Sequence, residues 1–178
     1  ADLIGRDLRL TSLELPDGSA VRGSINLQAR GQGNLDNPAA TLSLSAADVH
    51  YGDQQFGALT LQADVANQHA DIQAAAPQFN LTAKANAGLQ EPNHVTFELT
   101  ANRTDLATLP IKLQLPVVGT VTATLRGSGD LKNYEQGQAS AEIAKLDVTY
   151  NGQPVTTDGP LVASYQNRML TIGRAVIV

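Results

Sequence analysis

Apolar residues recur at every second position through most of this 178-residue chain. That period belongs to the pleated strand, whose successive side chains point to opposite faces of a sheet. The clearest runs are Ile25, Leu27, Ala29; Leu42, Leu44, Ala46; Leu59, Leu61, Ala63, Val65; Phe79, Leu81, Ala83; Val95, Phe97, Leu99, Ala101; Val121, Ala123, Leu125; and Ala139, Ala141, Ile143. Thr, Ser, Gln and Asn fill the places between. The pattern predicts an all-β chain of roughly ten to twelve strands, each with one dry face and one wet face.

Turn signals separate the runs: Asp17-Gly18, Asp36-Asn37-Pro38, Gly52-Asp53, Glu91-Pro92-Asn93, Asn151-Gly152 and Asp158-Gly159-Pro160. Each offers a residue that tolerates positive φ, or a proline with φ already fixed. One segment departs from the alternation. Asn102 to Leu109 has a polar start, helix-compatible spacing and a stop at Pro110, so a short helical turn is expected near residues 103–109. The end of the chain, Leu170 to Val178, reads as a strand without a polar tail, as expected of an internal piece of a longer protein.

An internal repeat is the next constraint. Arg30-Gly31-Gln32-Gly33-Asn34-Leu35-Asp36-Asn37 matches Arg126-Gly127-Ser128-Gly129-Asp130-Leu131-Lys132-Asn133 at an offset of 96, and Gly23 pairs with Gly119 at the same offset. Asp48-Val49-His50-Tyr51 matches Asp147-Val148-Thr149-Tyr150 at an offset of 99, which places an insertion near Gln136 to Gln138. The expected organisation is a first β unit over residues 1–110 and a second, partial unit over 111–178, together one continuous β domain.

Composition narrows the function classes. Charged residues make up 16% of the chain and the net charge is -5, with no Lys/Arg cluster to make the phosphate contacts that dominate nucleic-acid affinity. Nucleic acid is therefore not an expected partner. With no cysteine there is neither a disulfide framework nor a thiolate metal site. His50, His69 and His94 have no second ligand at metal-motif spacing, so no metal or cofactor is expected. Gly31 and Gly33 lack the third glycine and the following helix of a dinucleotide loop. Gly127-Ser128-Gly129 lacks the strand-to-helix setting of a nucleophile elbow. These readings leave no catalytic residue, and the chain is expected not to be an enzyme.

What remains is the stripe. It is built from Ala, Leu, Val and Ile, with four Tyr, three Phe and no Trp in the whole chain. Two closed sheets burying such faces against each other, a β-sandwich, is one outcome. An open groove is the other, and a smooth aliphatic lining suits acyl chains, because each buried methylene contributes about 0.8 kcal/mol with no directional partner required. Alternation selects Ile25, Leu27, Leu42, Leu44, Leu59, Leu61, Phe79, Leu81, Phe97, Leu99, Val121, Leu125 and Ile143 as dry-face residues and candidate lipid contacts.

The strand, Gly-x-Gly-[Asn/Asp]-Leu-x-Asn turn, strand and Asp-Val-x-Tyr pattern resembles the AsmA-like family and its TamB-like branch. Three stretches carry the resemblance: Val21-Arg22-Gly23 to Pro38; Leu99 to Leu106 leading into Leu115-Pro116-Val117-Val118-Gly119; and Gly159-Pro160-Leu161 to Thr171-Ile172. It implies a curved, elongated sheet, U-shaped like a taco shell, lined by a hydrophobic groove. It further implies a periplasmic segment of a longer protein anchored in the inner membrane of a Gram-negative-type bacterium. The implied function is phospholipid transport between membranes or outer-membrane biogenesis, with an Omp85-class outer-membrane protein as partner of the full-length chain. Reception of outer-membrane protein strands, as a chaperone or scaffold, and a purely structural repeat are the alternatives.

Overall fold

The computed structural model describes residues 1–14, 20–34, 38–51, 54–109 and 116–173. Among these, twelve strands form one open antiparallel sheet. They are β1 (Asp2–Glu14), β2 (Ala20–Gly33), β3 (Pro38–Tyr51), β4 (Gln54–Ala66), β5 (His69–Ala76), β6 (Leu81–Gly88), β7 (His94–Asp105), β8 (Val117–Asp130), β9 (Gln138–Tyr150), β10 (Gln153–Thr156), β11 (Leu161–Gln166) and β12 (Met169–Ile172). From β1 to β9 the chain is a meander in which each strand pairs with the next. Beyond β9 the partner edge is shared. Tyr150 to Asp147 pair with β10, whereas Ala139 to Ile143 pair with β11, which in turn carries β12.

Two-residue turns with positive φ at both positions join three of the hairpins: Asn67-Gln68, Asn151-Gly152 and Asn167-Arg168. Paired positive φ values follow the right-handed twist of the flanking strands and hold them in register. Asn leads each turn because its short amide tolerates the left-handed conformation.

Strict register aligns the apolar residues into rows that cross the sheet. One row runs Gly5, Leu27, Leu44, Leu61, Ala74, Ala83, Leu99, Leu125, Ala141, Ala163, Ile172, every neighbour a direct cross-strand pair. The next row on the same face runs Leu3, Ala29, Leu42, Ala63, Ile72, Ala85, Phe97, Gly127, Ala139, Tyr165, Leu170. The opposite face carries Gln28, Ser43, Gln62, Gln73, Lys84, Glu98, Arg126, Ser140, Ser164 and Thr171 in register. A one-residue slip would exchange the two faces of a whole strand, so the pattern itself specifies the pairing.

No second layer of described residues covers either face. The protein exposes 12,230 Å², where a compact protein of 18.7 kDa would expose roughly 8,300 Å². The closed β-sandwich considered from sequence is therefore overturned: there is one sheet, and its two edges do not meet.

The most enclosed packing lies where β5 and β6 stop short of their longer neighbours. A single 3-10 turn, Pro77–Phe79, fills this space. Phe79 is 2% exposed and packs edge-to-face on Phe56, which packs edge-to-face on Tyr51. The fully buried Thr104 donates its hydroxyl to the Phe79 carbonyl at 2.8 Å. Phe79 is thus a packing residue in a connection, not a strand residue of the apolar rows, and its selection as a dry-face contact is corrected. Alternation failed there because the neighbouring strand begins only at Leu81.

The expected helical turn is also replaced. β7 continues through Asp105, and a tight turn follows in which the Ala107 amide donates to Asp105 Oδ1 and the Thr108 hydroxyl to the Asp105 carbonyl. An Asp side chain that captures the amide two residues on gives the chain a turn instead of a helix start. The turn signals Asp17-Gly18, Asp36-Asn37 and Gly52-Asp53 fall on residues outside the described ones; of the strand expected over Leu170 to Val178, Leu170 to Ile172 lie in β12 and residues 174–178 are outside the described ones.

The repeated segments pair alike. Arg30 faces Thr41, Leu27 faces Leu44 and Val21 faces Tyr51; at the repeat offsets, Arg126 faces Ser140, Ala123 faces Ile143 and Val117 faces Tyr150. Over this stretch β3 and β9 each spend one more residue than their partners β2 and β8, the count of a β-bulge. The extra residue lies between Ala47 and His50 in the first pair and between Ile143 and Lys145 in the second.

Candidate functional site: the apolar face

The face that could take a ligand is assembled by register, not by a loop cluster. Twelve of the thirteen residues selected from alternation lie in strands, and the pairings place them on one face. Leu27, Leu44, Leu61, Leu99 and Leu125 share the first row, and Leu42 and Phe97 the second. Ile25 pairs through Ala46 with Leu59, while Leu81 connects through Ala101 and Ala123 to Ile143. Val121 lies two residues before Ala123 on β8 and pairs with Thr104.

On β2 to β6 and on β9 these side chains are half-buried although no described residue lies above them, and their polar-face neighbours are mostly exposed. On β7 the order reverses: Phe97 and Leu99 are 41% and 38% exposed, whereas Glu98 and Thr100 are half-buried. Aliphatic side chains in adjacent strands shield one another, being roughly 5 Å apart along a row. Toward β12 the shielding fails: Leu170 and Ile172 are 65% and 70% exposed. An apolar area continued across eleven strands exceeds the few hundred Å² ordinary on a monomer surface.

Several residues of this face carried no signal strong enough to select. Leu3 and Leu8 sit on β1, where Arg6 and Asp7 form a bulge, with Asp7 at φ 48, and so break the alternation. Ile72 lies in a run of small residues, and Tyr165, Leu170 and Ile172 lie in strands of only six and four residues. Short strands give too few alternations to distinguish from chance.

The polar face is held by cross-strand hydrogen bonds. Arg126 Nε donates to Glu98 Oε2 at 2.7 Å, Asn86 Nδ2 to Asp71 Oδ1 at 2.7 Å, and Gln138 Nε2 to Ser128 Oγ at 3.0 Å. Each joins directly paired residues, and each is solvated enough to contribute modestly. His94 Nδ1 lies 2.9 Å from Asp130 Oδ1, and His50 Nδ1 lies 2.8 Å from the Asp48 carbonyl. Among the described residues no three of His, Cys, Asp and Glu gather as a metal-binding group.

Comparison of the chain with protein-family models, with curated proteins and with solved structures finds no match.

Proposed function

We propose that the chain shelters acyl chains along its apolar face, as a periplasmic segment of a longer, inner-membrane-anchored protein of phospholipid transport or outer-membrane biogenesis. One observation carries this reading: aliphatic rows cross the whole sheet and no layer of described residues covers them. A solvated face of this kind is costly unless something apolar is brought to it. The lining has no charged side chain within either of the two rows, so an acyl chain lying along them meets no charged barrier. An Omp85-class outer-membrane protein is the partner proposed for the full-length chain, on the resemblance of the repeat to the AsmA-like family.

Two finer structural features belong to the same reading. Greater shielding of the apolar than of the polar side chains on β2 to β6 supports a sheet curved toward its dry face there, the cross-section of a taco. The matched registers of β2·β3 and β8·β9 support two related units.

A second reading, reception of a partner strand, is favoured by β12, the last strand of the sheet among the described residues. Met169-Leu170-Thr171-Ile172 has no charge, no proline and no bulge, whereas β1 carries Asp2, Arg6, Asp7 and Arg9 and is bulged. Natural edges are guarded by charges and bulges of the β1 kind.

Native mass spectrometry of the purified chain, followed by organic extraction, tests the proposal. Phospholipid at defined stoichiometry, lost on Leu44→Asp, Leu61→Asp or Leu99→Asp in a still-folded protein, is the expected result. A folded protein that is lipid-free and takes up no added lipid removes direct lipid binding and leaves strand reception.

A further inference from the structure

The apolar face is not uniform: near one end of the strands it opens into a cleft of about 320 Å³ between Phe97 on β7 and Tyr165 on β11. The cleft exists because the residues between the two aromatics are small. Phe97, Gly127, Ala139 and Tyr165 are consecutive members of one row, and Gly129 and Gly137 come together beyond Gly127, an added Cβ on Gly129 meeting the Gly137 Cα at 2.9 Å. Backbone therefore forms much of the floor. Val95 and Leu131 complete the apolar wall, Leu131 standing 63% exposed at the rim.

Charge at the mouth decides what the cleft takes. The described cations nearest it are already held by carboxylates: Lys132 by Glu91 and Arg168 by Glu135, while Arg126 points to the opposite face and pairs with Glu98. Asp130 adds a carboxylate, opposite His94. A carboxylate or phosphate arriving here would find no unpaired positive partner and one more negative neighbour, so an anionic head group is disfavoured. An uncharged hydrocarbon end meets a wall that is mainly apolar, the Gln138 and Ser128 side chains being hydrogen-bonded to each other.

We propose that this cleft is a discrete subsite for the methyl end of a single acyl chain, whose remaining length lies along the Phe97 row toward Ile72 and Leu42. The inference rests on the acyl-chain reading of the face and adds orientation to it: tail at the Phe97–Tyr165 cleft, head group away from it. Its volume is at the lower limit of small-ligand pockets, which suits one chain end and not a whole lipid.

The test is solution NMR of the chain with stearate carrying a nitroxide either near its methyl end or near its carboxylate. The expected result is that the methyl-end label broadens the Gly129 and Ala139 amides most, and the carboxylate-end label broadens positions farther along the row. Ala139→Phe, which fills the cleft, and Leu131→Asp, at an exposed position that leaves packing untouched, should each weaken stearate binding about tenfold. Ala63→Phe, in the same row on β4, should not abolish the methyl-end effect at Ala139. Equal broadening along the row by both labels, or stronger broadening at Ala139 by the carboxylate-end label, overturns the subsite while leaving an acyl-binding face. No broadening anywhere on the apolar face removes the acyl-chain reading itself.

Discussion

The Phe97 ring lies over the backbone of its cross-strand partner Gly127, so closely that a Cβ added to Gly127 would stand 2.4 Å from Phe97 Cε1. Glycine weakens a strand by leaving nothing to pack, and an aromatic partner laid across it replaces the missing contacts. The matching glycine of the first repeat, Gly31, has nothing within 4 Å of such a Cβ. The same motif is thus covered in one copy and bare in the other.

Gly127→Ala should therefore destabilise the sheet by about 1–2 kcal/mol, because Phe97 must leave its place. In a Phe97→Ala background the same change should be neutral or slightly stabilising, since alanine restricts the unfolded chain more than glycine does. A double-mutant cycle by urea unfolding measures this, and additive effects would show that the ring and the glycine do not interact.

The turns offer an independent prediction. Gln68 occupies the second position of the β4–β5 turn at φ 63, where a side chain is strained and glycine is not. Gln68→Gly should stabilise the protein by about 0.5–1 kcal/mol, the backbone gain being partly offset by glycine's greater unfolded-state freedom. A raised midpoint of urea unfolding with an unchanged slope is the expected measurement.

Those same turns show where the sequence was legible. Asn151-Gly152 announces itself, since both residues suit positive φ, and it is a turn. Asn67-Gln68 and Asn167-Arg168 adopt the same kind of turn with a residue that normally avoids it, imposed by the pairing of Ala66 with His69 and of Gln166 with Met169. Long alternating strands such as β3, β4 and β9 were legible for the opposite reason, each repeating the signal many times. Phe79 misled because a strand-like spacing ran across a buried 3-10 turn, whose role depends on Phe56 and Thr104, 23 and 25 residues away. The cleft beside Phe97 was not legible at all, being made by glycines and an alanine of β8, β9 and the connection between them, whose juxtaposition with Phe97 and Tyr165 exists only in the folded sheet.

Thr104 supplies a test of that buried turn. Its hydroxyl is fully enclosed and donates to the Phe79 carbonyl at 2.8 Å. Thr104→Val keeps the shape and removes the donor, leaving the carbonyl poorly satisfied, at a cost of about 1–3 kcal/mol. Thr104→Ser keeps the donor and loses a methyl group, at about 1 kcal/mol. Unfolding measurements that rank valine no worse than serine would assign Thr104 to packing alone.

The two repeat-related glycines should differ in a direction that follows from their surroundings. Gly119 has φ 130, and a Cβ there would meet the Asp147 carbonyl oxygen at 2.3 Å and the Val148 Cα at 2.7 Å; for Gly23, at φ 150, the nearest atoms are the Ala47 carbonyl oxygen at 3.0 Å and the Val49 Cα at 3.2 Å. Both obstacles are backbone of the partner strand and cannot swing aside as a side chain can. Backbone strain alone is of order 1–3 kcal/mol at such positions. Gly119→Ala should exceed that range, because β8 and β9 must also separate locally, whereas Gly23→Ala should remain within it, since its neighbours need to give by only a few tenths of an ångström. The bulges explain the difference. The extra residue opposite Gly23 bows β3 away from it, whereas in the second pair the extra residue lies farther along β9, leaving Gly119 directly paired with Val148. Urea unfolding of the two variants, with amide exchange along β3 and β9 to locate the loosened pairing, checks the order; equal losses would mean that bulge position does not control the approach of the strands.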